Sequence, residues 1–131
     1  MPLPAQHTTD AMTRHALSPE LTVRDLNNWA TMQLGRLRLA LSSDTSSQPA
    51  FVLAQAAKLA EEVGELQAEI LGHAGYQRAT KDRCFTTESL SSELADVMIC
   101  VAILASSYKI DLGKALASKI EKINTRHKST S

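Results

Sequence analysis

The stretch LSSELADVMICVAILASSY, residues 90–108, decides how this chain folds. Leu90, Leu94, Val97, Val101, Leu104 and Tyr108 recur at three- and four-residue spacing, the period of an α-helix. Met98, Ile99, Ala102 and Ile103 fill its other faces, so the helix is apolar nearly all round. A helix of that kind belongs in the middle of a bundle or against a partner. Two acids, Glu93 and Asp96, nevertheless stand in its first half. Taking a carboxylate out of water costs roughly several kcal/mol unless something compensates. Those two acids therefore need an explanation.

Working outward, three further helices flank this one. Val23, Leu26, Ala30, Leu34, Leu37 and Leu41 form one apolar stripe, with Thr22 as the expected N-cap. The polar segment SSDTSSQP, residues 42–49, reads as a loop. A second helix is predicted from about Ala50 to Leu71, with Leu59, Val63, Leu66 and Ile70 inward and Gly72 and Gly75 ending it. Thr86 or Thr87 can cap the third helix, and Asp111 a fourth that carries Leu116, Ile120 and Ile123 inward to about His127. No strand-like alternation occurs. The expected fold is all-α, a four-helix bundle with antiparallel second and third helices. Residues 1–19 read as a mobile arm, and residues 20–128 as the domain.

Composition narrows the function. The chain has 131 residues, with 14 basic and 14 acidic side chains, so no overall charge draws it to nucleic acid or an anionic membrane. Its longest apolar run, Val97 to Ala105, is well short of the ~20 residues of a bilayer span. No signal peptide is apparent at the start. Cys100 reads as a buried free thiol and Cys84 as a polar-loop cysteine, which fits a reducing cytoplasm. No nucleic-acid or membrane partner is expected.

The acids of the third helix have an echo in LAEEVGEL, residues 59–66. At about 100° per residue, Glu62 and Glu65 lie near 300° and 240° from Leu59. Glu93 and Asp96 lie at about the same two angles from Leu90. Each helix thus carries a carboxylate pair at one offset from its core line, and antiparallel packing lets the pairs face each other. Two carboxylates 4 Å apart repel by ~4 kcal/mol at an effective dielectric near 20. Four at a buried edge call for protons or a cation. Oxygen-only donors suit Mg²⁺, or Mn²⁺ as a substitute, better than zinc.

KLAEEVGEL followed by ELADV resembles the MazG-like superfamily of all-α nucleoside triphosphate pyrophosphohydrolases, whose signature is EExxE followed by ExxD. The likeness covers roughly residues 22–127 and implies hydrolysis of a nucleoside triphosphate to the monophosphate and pyrophosphate. It implies that Glu62, Glu65, Glu93 and Asp96 hold Mg²⁺ and that Glu61 orients or deprotonates the attacking water. It also assigns Lys122, Asn124 and Arg126 on the last helix to the nucleotide, with Lys119 on the same basic face. Lys58 either reaches phosphate or salt-bridges within its helix, and Trp29 either stacks on a base or packs in the core. Relatives active on deoxycytidine triphosphate carry Tyr where this chain has Cys100, so that pocket is not implied. The family's short helical members form homodimers or homotetramers, as the apolar third helix would suit.

Two alternatives remain at this level. The related phosphoribosyl-ATP pyrophosphohydrolases carry similar acids on a related fold. A non-catalytic helical module would use the acids to bind a structural ion or another protein.

Overall fold

The computed structural model describes residues 20–40, 48–80 and 83–128. The predicted arm at 1–19 and the loop residues 41–47 lie outside them, Leu41 included. Four helices follow one another: α1 Val23–Ala40, α2 Gln48–His73, α3 Thr87–Ser107 and α4 Leu112–Lys128. Among the described residues the only β-type pairing is an isolated bridge between Thr80 and Arg83.

Helix starts follow from local capping chemistry. The Thr22 hydroxyl accepts the Asp25 N–H at 3.2 Å, while Asp25 Oδ2 accepts the Thr22 N–H at 2.9 Å and its hydroxyl at 2.7 Å. These bonds to Thr22 hold the Asp25 carboxyl below its usual range. Thr86 caps α3 through a reciprocal capping box, its hydroxyl accepting the Ser89 N–H and the Ser89 hydroxyl accepting the Thr86 N–H, each at 3.0 Å. Asp111 caps α4 by accepting the Lys114 N–H at 3.0 Å.

α3 is the central element, packed along α2 on one side and α1 on the other. Leu26, Ala30 and Leu34 of α1 meet Phe51 of α2 and Ala102 and Ile103 of α3 in the buried core. Ala30 and Ala102 are fully covered, and their small side chains let α1 and α3 approach closely. Thr31 and Ser106 share a hydrogen bond of 3.2 Å across that seam. The core therefore sits toward the C-terminal half of α3. The N-terminal half, with its acids, faces α2 alone.

Three expectations need correction. α2 runs two residues past Leu71 and includes Gly72, and Gly75 takes the positive φ of 80° that closes it. Gly72 matters for another reason: the Phe85 ring lies against it, and a Cβ there would overlap ring atoms. Gly72→Ala is expected to cost about 1–3 kcal/mol, read as a lower unfolding midpoint. An unchanged midpoint would mean that the ring swings aside freely.

The second correction concerns α4. Leu116, Ile120 and Ile123 do not face inward but are 42%, 55% and 41% exposed, because α4 rests chiefly on α1 and, among its described side chains, only Leu112 joins the core. The third concerns α3, which is covered on two sides rather than all round. Leu94, Met98 and Val101 form an exposed face one to two turns long. By length and composition Thr87–Ser107 is also apolar enough to cross a membrane, which the count of the run from Val97 to Ala105 understated.

Candidate metal centre

α2 and α3 are antiparallel, and their acids meet where the two helices run side by side without α1. One carboxylate oxygen each from Glu62, Glu93 and Asp96 lie within 4.8 Å of one another. Opposite ligands on one Mg²⁺ stand about 4.2 Å apart, twice a bond of ~2.1 Å. The three oxygens are therefore almost at the span a hard cation needs.

Burial makes the cluster costly without a cation. Glu62 is only 7% exposed, and Glu93 and Asp96 are half-buried. Desolvation, then the charges of Glu65, Asp96, Glu62 and Glu69, push the Glu93 carboxyl above its ordinary range. Glu93 Oε2 is buried and has no hydrogen-bond partner. Buried polar oxygens are normally satisfied, so an orphaned oxygen on a carboxylate of an acidic cluster fits a group that takes a positive ligand. The donor set, all carboxylate oxygen, suits Mg²⁺ or Mn²⁺.

The other candidate residues are placed less uniformly. Glu65 is exposed and outside the three-oxygen group, although its charge reaches Glu93. Glu61 points outward and pairs with Lys58 at 3.3 Å; the same ammonium also pairs with Glu62. Both carboxylates raise the Lys58 pKa. Lys58 thus sets its ammonium beside the centre through ion pairs within its own helix. Trp29 packs against the core cluster. The Thr31–Ser106 contact sets it about ten residues, or ~15 Å, along α3 from Asp96. Lys119, Lys122, Asn124 and Arg126 lie exposed on α4, which rests on α1 and makes no comparable packing with α2. Cys100 is buried one turn beyond Asp96, and burial followed by the Glu62 charge keeps its thiol protonated.

One acid escaped the reading of the motif. Glu69 is 5% exposed and takes the Ser89 hydroxyl at 2.7 Å and the Arg83 guanidinium at 3.6 Å. The signal was its seven-residue spacing from Glu62, which returns a helix to within about 20° of the same face.

Residues 52–131 match the family model of the MazG nucleotide pyrophosphohydrolase domain. The chain belongs to the MazG nucleotide pyrophosphohydrolase family. The matched span holds α2, α3 and α4 nearly whole, and with them every acid of the centre. A similar curated protein is the uncharacterized protein YpjD of Bacillus subtilis (strain 168), 37% identical over 78 residues, which is 58% of this chain and 67% of that protein. The MazG assignment accounts for an all-α fold and for carboxylates facing each other across two antiparallel helices.

Proposed function

We propose that this MazG-family chain is a Mg²⁺-dependent pyrophosphohydrolase of nucleoside or deoxynucleoside triphosphates, with Mn²⁺ able to substitute. Water adds across the α–β anhydride bond; the monophosphate takes the hydroxyl oxygen and pyrophosphate leaves with the bridging oxygen. The observation that carries the reading is the unpartnered buried Glu93 oxygen within the Glu62–Glu93–Asp96 cluster. This reading includes a role in clearing unwanted nucleotides in the cytoplasm.

In this reading Glu62, Glu93 and Asp96 would hold the cation, with Glu65 closing on it from the exposed side. When bound, the cation supplies charge neutralisation at the phosphate oxygens and acidifies a coordinated water. The chain's own groups do the rest. Glu61, outside the cluster but one residue from Glu62, would orient the attacking water and accept its proton. Lys58 would turn from the carboxylates to a phosphate oxygen once a cation neutralises Glu62.

Lys122 and Arg126 would neutralise the pyrophosphate, Asn124 would donate a hydrogen bond to the nucleotide, and Trp29 would stack on the base. Their distance from the acids of their own chain favours delivery from a second copy. The uncovered faces of Leu94, Met98 and Val101 on α3 and of Leu116, Ile120 and Ile123 on α4 suit a homodimer or homotetramer.

The test is pyrophosphate release from a panel of ribo- and deoxynucleoside triphosphates, with Mg²⁺ and with EDTA. Release from at least one triphosphate that EDTA abolishes is expected. Turnover of phosphoribosyl-ATP alone would move the chain to the related enzymes. Cation binding with no turnover of any nucleotide would leave a structural ion site.

A further inference from the structure

Glu69 is one of two buried charged residues in the described chain, the other being Glu62. Yet it is not part of the three-oxygen cluster. Both of its oxygens are engaged elsewhere, Oε2 by the Ser89 hydroxyl and Oε1 by Arg83. An ion pair at 3.6 Å whose Arg83 end is exposed adds little stability. Its place in the helix pairing gives it another use.

On α2, Glu69 follows Glu62 by 69 − 62 = 7 residues. On α3, Asp96 follows Ser89 by 96 − 89 = 7 residues. Since the helices are antiparallel, Glu69–Ser89 and Glu62–Asp96 are two rungs of one ladder, about 10.5 Å apart. The first rung is a direct hydrogen bond, whereas the second is a set of mutually repelling acids. Ser89 is also the N3 residue of the α3 capping box. Its single proton has two acceptors in reach, Glu69 Oε2 at 2.7 Å and Thr86 O at 2.9 Å. The charged and nearer acceptor takes it, because charge-assisted bonds are roughly twice as strong.

Around this rung the connector is fastened down. Arg83 lies over the Phe85 ring at 5.3 Å, and His73 Nε2 is 2.9 Å from the Thr86 carbonyl. Glu93 lies one turn beyond Ser89, so whatever fixes Ser89 against α2 also fixes Glu93.

We propose that Glu69 is a positioning residue for the metal centre: its carboxylate, clipped to Ser89, sets the α2–α3 register that carries Glu93 and Asp96 to Glu62. Metal–ligand distances tolerate only about ±0.2 Å, whereas a one-residue slip of α3 moves its acids by ~1.5 Å along the helix. Repulsion among the acids drives such a slip in the metal-free chain, and the clip opposes it. The inference rests on the reading of the acids as a cation site.

The experiment measures Mn²⁺ affinity of the full chain by titration followed by electron paramagnetic resonance, beside far-UV circular dichroism at the same temperature. Glu69→Met removes the acceptor but keeps the volume, and it leaves Arg83, 47% exposed at its side chain, free to be solvated. It should remain folded while the Mn²⁺ Kd rises about tenfold, the low end of the effect of losing a partner bonded to a ligand, since Glu69 acts through Ser89. Glu69→Gln keeps an oxygen for the Ser89 hydroxyl and should restore the Kd to within about threefold of the parent. Ser89→Ala, which keeps Glu69, should weaken binding as Glu69→Met does, and the double variant should be no worse than either.

A Glu69→Met protein with parental affinity and spectrum would overturn the proposal. So would an affinity loss that merely tracks the unfolded fraction, or a Glu69→Met protein too unfolded to assay alongside a Ser89→Ala protein of parental affinity. If the parent chain binds Mn²⁺ and Asp96→Asn abolishes binding while Glu69→Met leaves it intact, only the positioning role falls. If the parent binds no Mn²⁺, the cation reading falls with it.

Discussion

Glu62→Gln and Asp96→Asn are each expected to cut pyrophosphate release by about a thousandfold or more, since even outer-shell partners of a metal cost 10–100-fold. Both side chains contribute an oxygen to the three-oxygen cluster. Both substitutions preserve shape and remove charge, so the fold should survive. The same variants should lose saturable Mn²⁺ binding. Glu65→Gln should be milder, because Glu65 is exposed and stands outside that cluster. Glu61→Gln should lower kcat while leaving metal affinity near that of the parent. Activity in Asp96→Asn equal to the parent's would refute the assignment of the site, and an unchanged kcat in Glu61→Gln would remove its role as base.

The second expected result has opposite signs for two properties. Glu93→Gln should abolish cation binding yet raise the thermal midpoint of the metal-free chain. Glu93 is crowded by Glu65, Asp96, Glu62 and Glu69, and its buried oxygen has no partner. An amide there carries no charge and donates to its acidic neighbours. The pH dependence follows from the direction of the shift. Because the folded chain holds the Glu93 proton more tightly than the unfolded chain, stability from that proton is complete below the ordinary Glu value near 4.3. It is lost as pH rises through the raised folded value.

The advantage of Glu93→Gln should therefore be small near pH 4 and grow toward neutral pH. Saturating Mg²⁺ should reverse it, since a ligand at 100 times its Kd stabilises the parent by about 2.7 kcal/mol. A difference between the two midpoints that stays flat with pH would sink this account of Glu93. Comparing the two proteins, rather than following the parent alone, removes opposing contributions such as that of Asp25, whose lowered value adds stability that disappears as pH falls.

How much of this was legible in the sequence depended on how local each cause is. Thr22, Thr86 and Asp111 were readable as caps because a hydroxyl or carboxylate reaches backbone N–H groups only two or three residues away. The antiparallel pairing of α2 and α3 was readable because the connector is short and both helices carry apolar stripes. Angles measured from each helix's own stripe put Glu62 and Glu65 on equal terms with Glu93 and Asp96. The structure separates Glu65 from the rest, because exposure depends on where the neighbouring axis lies, which no single-helix wheel contains.

Glu69 was hidden for a related reason. It lies outside the EExxE spacing, and its partners Ser89 and Arg83 come from α3 and the connector. The stripe on α4 misled in the opposite direction. Leu116, Ile120 and Ile123 have helical spacing, but a stripe states what could be covered and not what covers it.

The placement of Glu93 and Asp96 inside α3 also bears on how the newly made chain is sorted. Thr87–Ser107 has the length and apolarity of a bilayer-spanning segment. To the machinery that inserts such segments, an acidic residue near the helix centre adds roughly 2.5–3.5 kcal/mol against insertion. The carboxylates that gather at the α2–α3 seam thus also weigh against insertion of α3 into a bilayer. Replacing both with leucine would remove the centre and the safeguard together.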